Sequence, residues 1–423
     1  MTARAAAHRR GACPGLSGPM QTGDGLLVRL LPTGTISLAA FSQLCAAART
    51  HGNGIVEITS RGSIQVRGLN AVSAPRFAAD VAALGIAAED GLPILCNALA
   101  GLDAEEVIDA AELAADLRRK LAQRSTAAKL GAKVSVAIDG GGALGLSDVT
   151  ADIRLTAQAF KDGIALRVGL GGDEASAIDL GAVAVAHAAE TAIQLLDVIV
   201  RRGRDLRARD IVAAEGDAVF RAAIADLLDH DSPPLVPRQS RDAVGLHRLR
   251  DGSQACGIGL AFGHADASSL ERLADAAAAA GSSGLRAAPG RVLMAIGFTP
   301  EAARAFAAAA ERLGFIVRAD DPRRHVVACA GAPICASAHI AARALAPRIA
   351  EIMASHIGAR TIHISGCAKG CARAAPAALT VVGTADGCAL IANGSTRDAP
   401  FAVVADHDLP SAIAKSLCEP SHV

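Results

Sequence analysis

Apolar positions near the start of the chain follow first the period of a strand and then that of a helix. Residues 26–31 form an apolar run of strand length, and Ser37 is a suitable N-cap for a helix with an apolar face. Gly52 and Gly54 end that helix, and alternating residues on both sides of a tight turn at 60–62 indicate a hairpin. The pattern predicts a strand, a helix, a hairpin and a second helix at residues 26–31, 38–51, 55–67 and 75–84, the last helix opened by Ser73.

The same order of signals returns about 230 residues further along the chain. It predicts a strand, a helix, a hairpin and a helix at residues 257–262, 269–280, 285–296 and 300–313. A repeat at this distance indicates a duplicated domain and not a solenoid of short repeats. Each copy has the order strand, helix, strand, strand, helix, which is the content of a ferredoxin-like half.

The segments between these halves are also related to each other. Residues 95–96 correspond to 328–329, residues 133–138 to 361–365, and residues 167–172 to 390–394. We therefore predict an internally duplicated α+β protein with two ferredoxin-like halves, 11–88 and 245–322, and two α/β domains, 89–232 and 323–405. Three prolines among polar residues mark 229–242 as a linker.

Composition narrows the class of protein. Lys and Arg together number 42, as do Asp and Glu, and the chain contains no Trp or Tyr. Nonspecific nucleic-acid or membrane binding is therefore not expected, because there is no net charge to attract phosphates and no stacking platform for bases. With 51% hydrophobic and 20% charged residues, and no apolar stretch after the basic N-terminal residues, the sequence predicts a soluble cytoplasmic protein.

Four of the ten cysteines are grouped near the end of the chain. Five residues separate Cys329 from Cys335, three separate Cys367 from Cys371, and 31 separate the two pairs. Four thiolates can hold zinc or an iron–sulfur cluster, and these spacings favour a [4Fe-4S] cluster, because zinc knuckles usually have two to four residues between ligands. We also expect Cys335 to begin a helix, whose dipole would favour its thiolate. The alternative is four inert buried thiols.

The chain resembles the nitrite and sulfite reductase superfamily over nearly its whole length. Within it, the motifs are most similar to the oxygen-dependent monooxygenases of aerobic cobalamin biosynthesis, and they lie at residues 11–15, 19–25, 59–68, 99–103, 138–142 and 365–372. Ser135 stands where the reductases have a second lysine, and Leu92 and Pro93 stand where they have an arginine. Half of the cationic cage that sulfite or nitrite needs is therefore absent.

The resemblance implies hydroxylation of the tetrapyrrole precorrin-3A by dioxygen, with closure of a γ-lactone. It implies a [4Fe-4S] cluster and a mononuclear non-haem iron, with no permanent siroheme, since the substrate would occupy that cavity. Electrons would come from NADH through a separate reductase, because neither glycine cluster of the chain has a full dinucleotide fingerprint. The alternatives are a siroheme-dependent nitrite or sulfite reductase and a non-catalytic protein with structural zinc.

A substrate with several carboxylates requires convergent cationic side chains, since guanidinium pairs with carboxylate in a bidentate fashion. The candidates lie at turns, strand ends or the cysteine loops: Arg61, Arg67, Lys133, Arg286, Arg291, Lys369 and Arg373. The ligands of the mononuclear iron are not identified by any local spacing. His363 is a weak candidate because it alternates with Ser365 and Cys367 along one predicted strand. The role of Cys13, which lies in the first motif, stays open.

Overall fold

Four sheets and eleven α-helices build the described part of the chain. This computed structural model describes residues 14–89, 91–160, 163–229, 236, 238–354 and 360–418. Cys13 and half of the predicted linker at 229–242, including its three prolines, lie outside the described residues. The predicted α+β class and its duplication are confirmed.

The first ferredoxin-like half begins with a short hairpin that precedes the predicted elements. Its elements are β1 (Met20–Thr22), β2 (Gly25–Leu30), α1 (Leu38–His51), β3 (Ile55–Ile58), β4 (Ile64–Leu69) and α2 (Ser73–Ala83). Ser37 caps α1 as predicted, its side chain accepting from the Ala40 N–H at 3.2 Å. At α2 the cap differs from the predicted one. Ser73 is the first residue inside the helix, and the Asn70 side chain accepts the backbone N–H groups of Val72 and Ser73.

The first α/β domain follows. Its strands are β5 (Ile94–Leu95), β6 (Val136–Asp139), β7 (Ile153–Phe160), β8 (Gly163–Leu170), β9 (Ile178–Ala184) and β10 (Leu228–Asp229). Its helices are α3 (Ala110–Ala122), α4 (Thr126–Lys129), α5 (Ala188–Arg202), α6 (Ala208–Glu215) and α7 (Ala218–Ala223). Helix α5 is the central helix, because apolar residues from most of its turns are buried against the sheet.

The second half and the second α/β domain repeat this plan. The half contains β11 (Gly245–Arg248), β12 (Gln254–Gly259), β13 (His264–Asp266), α8 (Ala267–Ala279), β14 (Gly284–Ala288), β15 (Val292–Phe298) and α9 (Pro300–Arg312). The domain contains β16 (Val326–Ala328), α10 (Ala342–Ala354), β17 (Ile362–Ser365), β18 (Ala377–Thr384), β19 (Gly387–Gly394), β20 (Ala402–Val404) and α11 (Leu409–Cys418). Strand β12 ends three residues before its predicted end, because Phe262 turns the chain in a left-handed conformation.

Strand pairing supports the duplication independently of sequence. In the first α/β domain, β5, β6 and β7 are parallel neighbours, whereas β7, β8 and β9 pair antiparallel. In the second, β16, β17 and β18 are parallel, whereas β18, β19 and β20 pair antiparallel. The same mixed connectivity therefore occurs twice in one chain.

The two ferredoxin-like halves are joined through a common hydrophobic core. Side chains of α1 and α2 pack in one cluster with those of α8 and α9, and β13 of the second half extends the first sheet next to β3. The two hairpin turns also meet, because the Gly290 N–H donates to the Ser60 carbonyl at 3.1 Å. Gly62, at φ +78°, lies so close that a Cβ there would stand 2.9 Å from the carbonyl carbon of Ala288. The duplication therefore brings both turns to the centre of the molecule.

Glu106 should make the stability of the first α/β domain depend on pH. Burial raises the pKa of Glu106 to about 7, although the N–H groups of Gly101 and Ala110 donate to its carboxylate. The unfolded chain releases this proton near pH 4.5, so the folded state loses stability as the pH rises from there through about 7. We expect this group to lower the free energy of unfolding by about 1–3 kcal/mol between roughly pH 5 and 8. Urea denaturation should show a smaller pH dependence in Glu106→Gln, and an equal dependence in both proteins would contradict the assignment.

Candidate functional site

The cysteine loops meet at one edge of the second α/β sheet. Strands β16 and β17 are parallel neighbours, with Ala328 opposite Ile364. Cys329 directly follows β16, and Cys367 comes two residues after β17. Because the carboxyl ends of parallel strands lie at the same sheet edge, both loops start from one place. The backbone links them there, since the Cys329 N–H donates to the Ile364 carbonyl at 3.2 Å.

All four grouped cysteines line one cavity of about 480 Å³, and all are free thiols. Burial raises the pKa of Cys329 and of Cys371, and the charges of neighbouring thiolates raise both further. The Gly366 N–H donates to Sγ of Cys329 at 3.1 Å, the kind of contact that stabilises a thiolate ligand. Among the described residues, no three His, Cys, Asp or Glu side chains are close enough to hold a single metal ion. Four cysteine sulfurs on one cavity are the kind of donor set that a [4Fe-4S] cluster requires.

Cys335 does not begin a helix, so that prediction is wrong. It lies in a turn in which its N–H donates to the Gly331 carbonyl at 2.8 Å, and its carbonyl accepts from the Ala338 N–H at 2.9 Å. Helix α10 starts seven residues later, at Ala342. These turn hydrogen bonds already use the backbone groups around Cys335, so no helix dipole acts on its sulfur.

The first ferredoxin-like sheet forms the opposite wall of the cavity. Arg29 on β2 donates to the Gln65 side chain at 2.9 Å, and Gln65 in turn donates to Glu57. Glu57 also pairs with Arg343 at the start of α10 and lies 3.7 Å from Arg67. Local sequence pattern does not point to Glu57 or Arg343, because their pairing joins β3 to α10, which are distant in the chain.

Arg67 lines the cavity, but its charge is compensated within the protein. Its Nε and Nη2 each donate at 2.7 Å to a carboxylate oxygen of Asp24. Burial alone would raise the pKa of Asp24, but the hydrogen bonds and charge of Arg67 hold it below its usual value. This pairing argues against the predicted role of Arg67 in holding substrate. Asp24 lies in the motif at 19–25, although nothing in that motif indicated its partner.

Three other predicted cationic residues line the same cavity: Arg61, Arg291 and Lys369. Nη2 of Arg61 donates to the carbonyl and the hydroxyl of Thr150, both at 2.8 Å, and Lys369 donates to the Ser337 hydroxyl at 2.8 Å. Arg291, at φ +65°, donates to the Ala372 carbonyl at 3.4 Å. Burial lowers the pKa of Arg291, and the nearby charge of Arg373 lowers it further. Together with Arg67, these side chains are the cationic groups that the predicted set contributes to the cavity.

The remaining predicted cations lie elsewhere. Arg286 donates to the carbonyls of Ala98 and Ala100, and it lines a separate small pocket of about 80 Å³. Arg373 donates to the Pro376 carbonyl and stands beside Arg291. Lys133 is exposed on the turn before β6 and lines none of these cavities. The expectation that all seven converge is therefore not met.

His363 is fully buried on β17. Its strand neighbours Ile362 and Ile364 face the core under α10, so His363 lies on the opposite sheet face, as Ser365 does. Neither ring nitrogen has a hydrogen-bond partner among the described residues. Burial lowers the pKa of His363 to about 4, and the charges of Arg373 and Arg291 act in the same direction. Two cations beside this ring make it a poor place for an iron ion.

A second cleft, of about 1000 Å³, adjoins the cysteine cavity. The two share Phe262, Gly263 and Arg291. Most of its other arginines are paired within the protein, as Arg324 is with Asp242 at 2.6 Å. Of these three shared residues, Arg291 is the one that carries a charge.

Comparisons with known proteins agree with this fold. Residues 18–84 match the family model described as nitrite/sulfite reductase ferredoxin-like half domain. The solved structure of the Mycobacterium tuberculosis NirA protein superimposes with a TM-score of 0.73 at 22% identity, covering 93% of this chain and 80% of that one. A sulfite reductase [ferredoxin] 2 of Mycolicibacterium paratuberculosis is 27% identical over 80% of this chain and 66% of its own length.

A precorrin-3B synthase from Sinorhizobium sp is 39% identical over 97% of this chain and 88% of its own length. This chain belongs to the precorrin-3B synthase family. The resemblance to the reductase superfamily that the motifs indicated is thereby confirmed, and its narrower branch is as well. For this precorrin-3B synthase family member, the relation to nitrite and sulfite reductases also supports iron–sulfur binding in general terms. No helix within the described residues has the length and apolarity to cross a membrane.

Cys367→Ala should remove bound iron and sulfide from this precorrin-3B synthase family member. The reason is that a cubane needs each of its four thiolates, and Cys367 lines the cavity that the other three share. Cys256→Ala is the matched control, because Cys256 is equally a free cysteine but lies buried in β12 within the core of the two halves. Iron and acid-labile sulfide should be assayed after anaerobic purification. A full complement in Cys367→Ala would contradict ligation by Cys367.

Proposed function

We propose that this chain is an oxygen-dependent monooxygenase that hydroxylates the tetrapyrrole precorrin-3A and closes a γ-lactone to give precorrin-3B. One atom of dioxygen enters the product and the other leaves as water, so two electrons and two protons must be supplied. The supporting observation is a single cavity that combines four thiols with an excess of basic side chains. The 39% identical precorrin-3B synthase relative supports the choice of substrate.

The charge of the cavity suits a substrate with several carboxylates. Among its lining residues, five are basic and one, Glu57, is acidic. Glu57, Arg29 and Arg67 belong to the hydrogen-bonded network described above, and Arg61, Arg291 and Lys369 add cationic groups on other parts of the lining. Charge-assisted pairs with carboxylates from three directions would fix the orientation of a flat macrocycle.

The available space supports a large ligand. The cysteine cavity and the adjoining cleft measure about 480 and 1000 Å³ and meet at Arg291. Ligand sites generally occupy ~300–1000 Å³, and a tetrapyrrole with its acidic side chains belongs at the upper end of that range. We infer that the macrocycle occupies the cysteine cavity and that some of its side chains extend past Arg291 into the cleft.

The residues of the chain fit one of the two implied cofactors. Cys329, Cys335, Cys367 and Cys371 would hold a [4Fe-4S] cluster, which supplies one-electron transfer next to the substrate. For the mononuclear non-haem iron, no sufficient group of ligands occurs among the described residues, and His363 is unsuitable because of its cationic neighbours. We therefore assign no step to that iron. The chain itself binds the carboxylates and keeps the reacting face between two buried sheet surfaces.

An external electron donor is part of the proposal. Gly257 and Gly259 lie within the antiparallel strand β12, and Gly169 lies within the antiparallel strand β8. A dinucleotide fingerprint instead requires a glycine loop between a parallel strand and a helix N-terminus. This supports electron supply from NADH through a separate reductase and not through a nucleotide site at either glycine cluster.

The direct test is turnover of precorrin-3A under labelled dioxygen. Anaerobically purified protein with a chemical or enzymatic reductant should give a product that carries one labelled oxygen atom and the lactone, as seen by mass spectrometry. The visible spectrum should show a cluster without the sharp bands of siroheme. Bound siroheme together with sulfite or nitrite reduction, and no consumption of precorrin-3A, would instead support the reductase alternative that the 27% identical relative represents.

Arg61→Ala should weaken substrate binding and leave the cluster in place. Removing one charged hydrogen-bonding partner of a carboxylate costs about 1.5–3 kcal/mol, so the Kd for precorrin-3A should rise about tenfold or more. Arg304→Ala is the control, because Arg304 is an exposed arginine on α9 outside both cavities. Iron content would check that the cluster is retained, and anaerobic titration with precorrin-3A would measure the change in Kd. An unchanged Kd in Arg61→Ala would remove Arg61 from the substrate site.

A further inference from the structure

We propose that the ion pair between Asp24 and Arg67 holds the turn at residues 22–25 against the Cys335 segment and thereby positions one of the four sulfur ligands. The inference rests on the proposed cluster and makes Asp24 and Arg67 positioning residues for it. Arg67 was predicted to bind substrate, so this gives it a different role.

The pair is buried and makes two parallel hydrogen bonds. Nε and Nη2 of Arg67 each donate at 2.7 Å to one oxygen of Asp24, and the side chains are 10% and 1% exposed, respectively. The Thr22 hydroxyl donates to the same carboxylate at 2.7 Å and so fixes the other side of the turn. Losing one partner of such a pair leaves a buried charge without compensation. The conformation of the turn between β1 and β2 therefore depends on both residues.

Gly23 connects this turn to the cysteine segment. Its carbonyl accepts from the Ala336 N–H at 2.9 Å. A Cβ at position 23 would stand 2.4 Å from Sγ of Cys335 and 3.3 Å from the Ser337 hydroxyl oxygen. The turn backbone thus lies closer to the Cys335 sulfur than any other residue type would permit, and it forms one wall around that sulfur.

Cys335 needs such a support because it belongs to no helix or strand. The local hydrogen bond of its N–H to Gly331 fixes one side of the segment, and the Gly23 contact fixes the other. Contacts that orient metal ligands typically change metal affinity by ~10–100-fold. The pair therefore links the ferredoxin-like sheet to the segment that carries the Cys335 sulfur.

Asp24→Asn tests the proposal, with Asp152→Asn as a matched control. Asp152 also forms a buried bidentate pair, with Arg207, whose Nε and Nη2 donate to it at 2.9 and 2.6 Å. That pair lies in the first α/β domain and borders neither of the two larger cavities. Both variants should be purified anaerobically as full-length protein. The measurements are iron and sulfide per chain, decay of the cluster absorbance in air, midpoint potential and thermal unfolding.

We expect Asp24→Asn to lose its cluster about tenfold faster than wild type and to show a shifted potential. Asp152→Asn should lose thermal stability but keep the wild-type decay rate. A wild-type decay rate and potential in Asp24→Asn would overturn the positioning role while leaving the cluster intact. A wild-type protein without any iron–sulfur cluster would overturn the proposed site itself, and the two failures are thus distinguishable.

A second variant addresses the turn without breaking the ion pair. Gly23→Ala should accelerate cluster loss, because the added methyl group displaces the Cys335 sulfur, whereas Gly15→Ala has open space around its methyl group and should behave as wild type. In the double variant Asp24→Asn/Arg67→Gln, the decay rate should equal that of Asp24→Asn alone, since both residues act through one pair. Additive effects, or a stable cluster in Gly23→Ala, would contradict the proposal.

Discussion

The parallel pairing of β16 with β17 is the constraint on which the site depends. Residues 329 and 367 are distant in the chain, and their sulfurs share a cavity because both strands end at the same sheet edge. The cavity is closed from the other side by a sheet that belongs to the first ferredoxin-like half. A change in register between β16 and β17 would therefore separate the cysteine pairs and leave the arginines of the opposite wall without a site to face.

The sequence predicted those features that depend on local pattern. Alternation and turn residues gave both hairpins, and Ser37 was the correct cap of α1. Local pattern could not show that Cys335 lies in a turn, because that outcome depends on hydrogen bonds to Gly331 and to Ala338 and on the distant Gly23. Nor could it show that β13 joins the sheet of the other half, since that pairing exists only after the two halves share a core.

The arginines show that local sequence also cannot predict which charged side chains are paired in the folded protein. Arg67 lies within β4 and Arg291 in the turn before β15, and the sequence pattern predicted both as substrate-binding cations. In the folded protein Arg67 pairs with Asp24, whereas Arg291 feels the like charge of Arg373 and lies within electrostatic range of His363. An arginine with a bidentate partner stabilises structure, while one that is buried beside a like charge favours an anionic ligand. Their different roles follow from contacts made by other elements.

The first α/β domain has no grouped cysteines, and it shows how the same loop of the duplicated scaffold is satisfied without them. Its loop after β6 also presents backbone N–H groups, but carboxylates of the same domain accept them: Asp139 from Gly141 and Leu146, and Asp103 from Ala143. In the other copy, the comparable loop offers the Gly366 N–H to the Cys329 sulfur. Backbone donors at this sheet edge thus meet side-chain acceptors in both copies. Carboxylates provide the acceptor in the first copy, and the Cys329 sulfur provides it in the second, where we propose that the same sulfur also ligates the cluster.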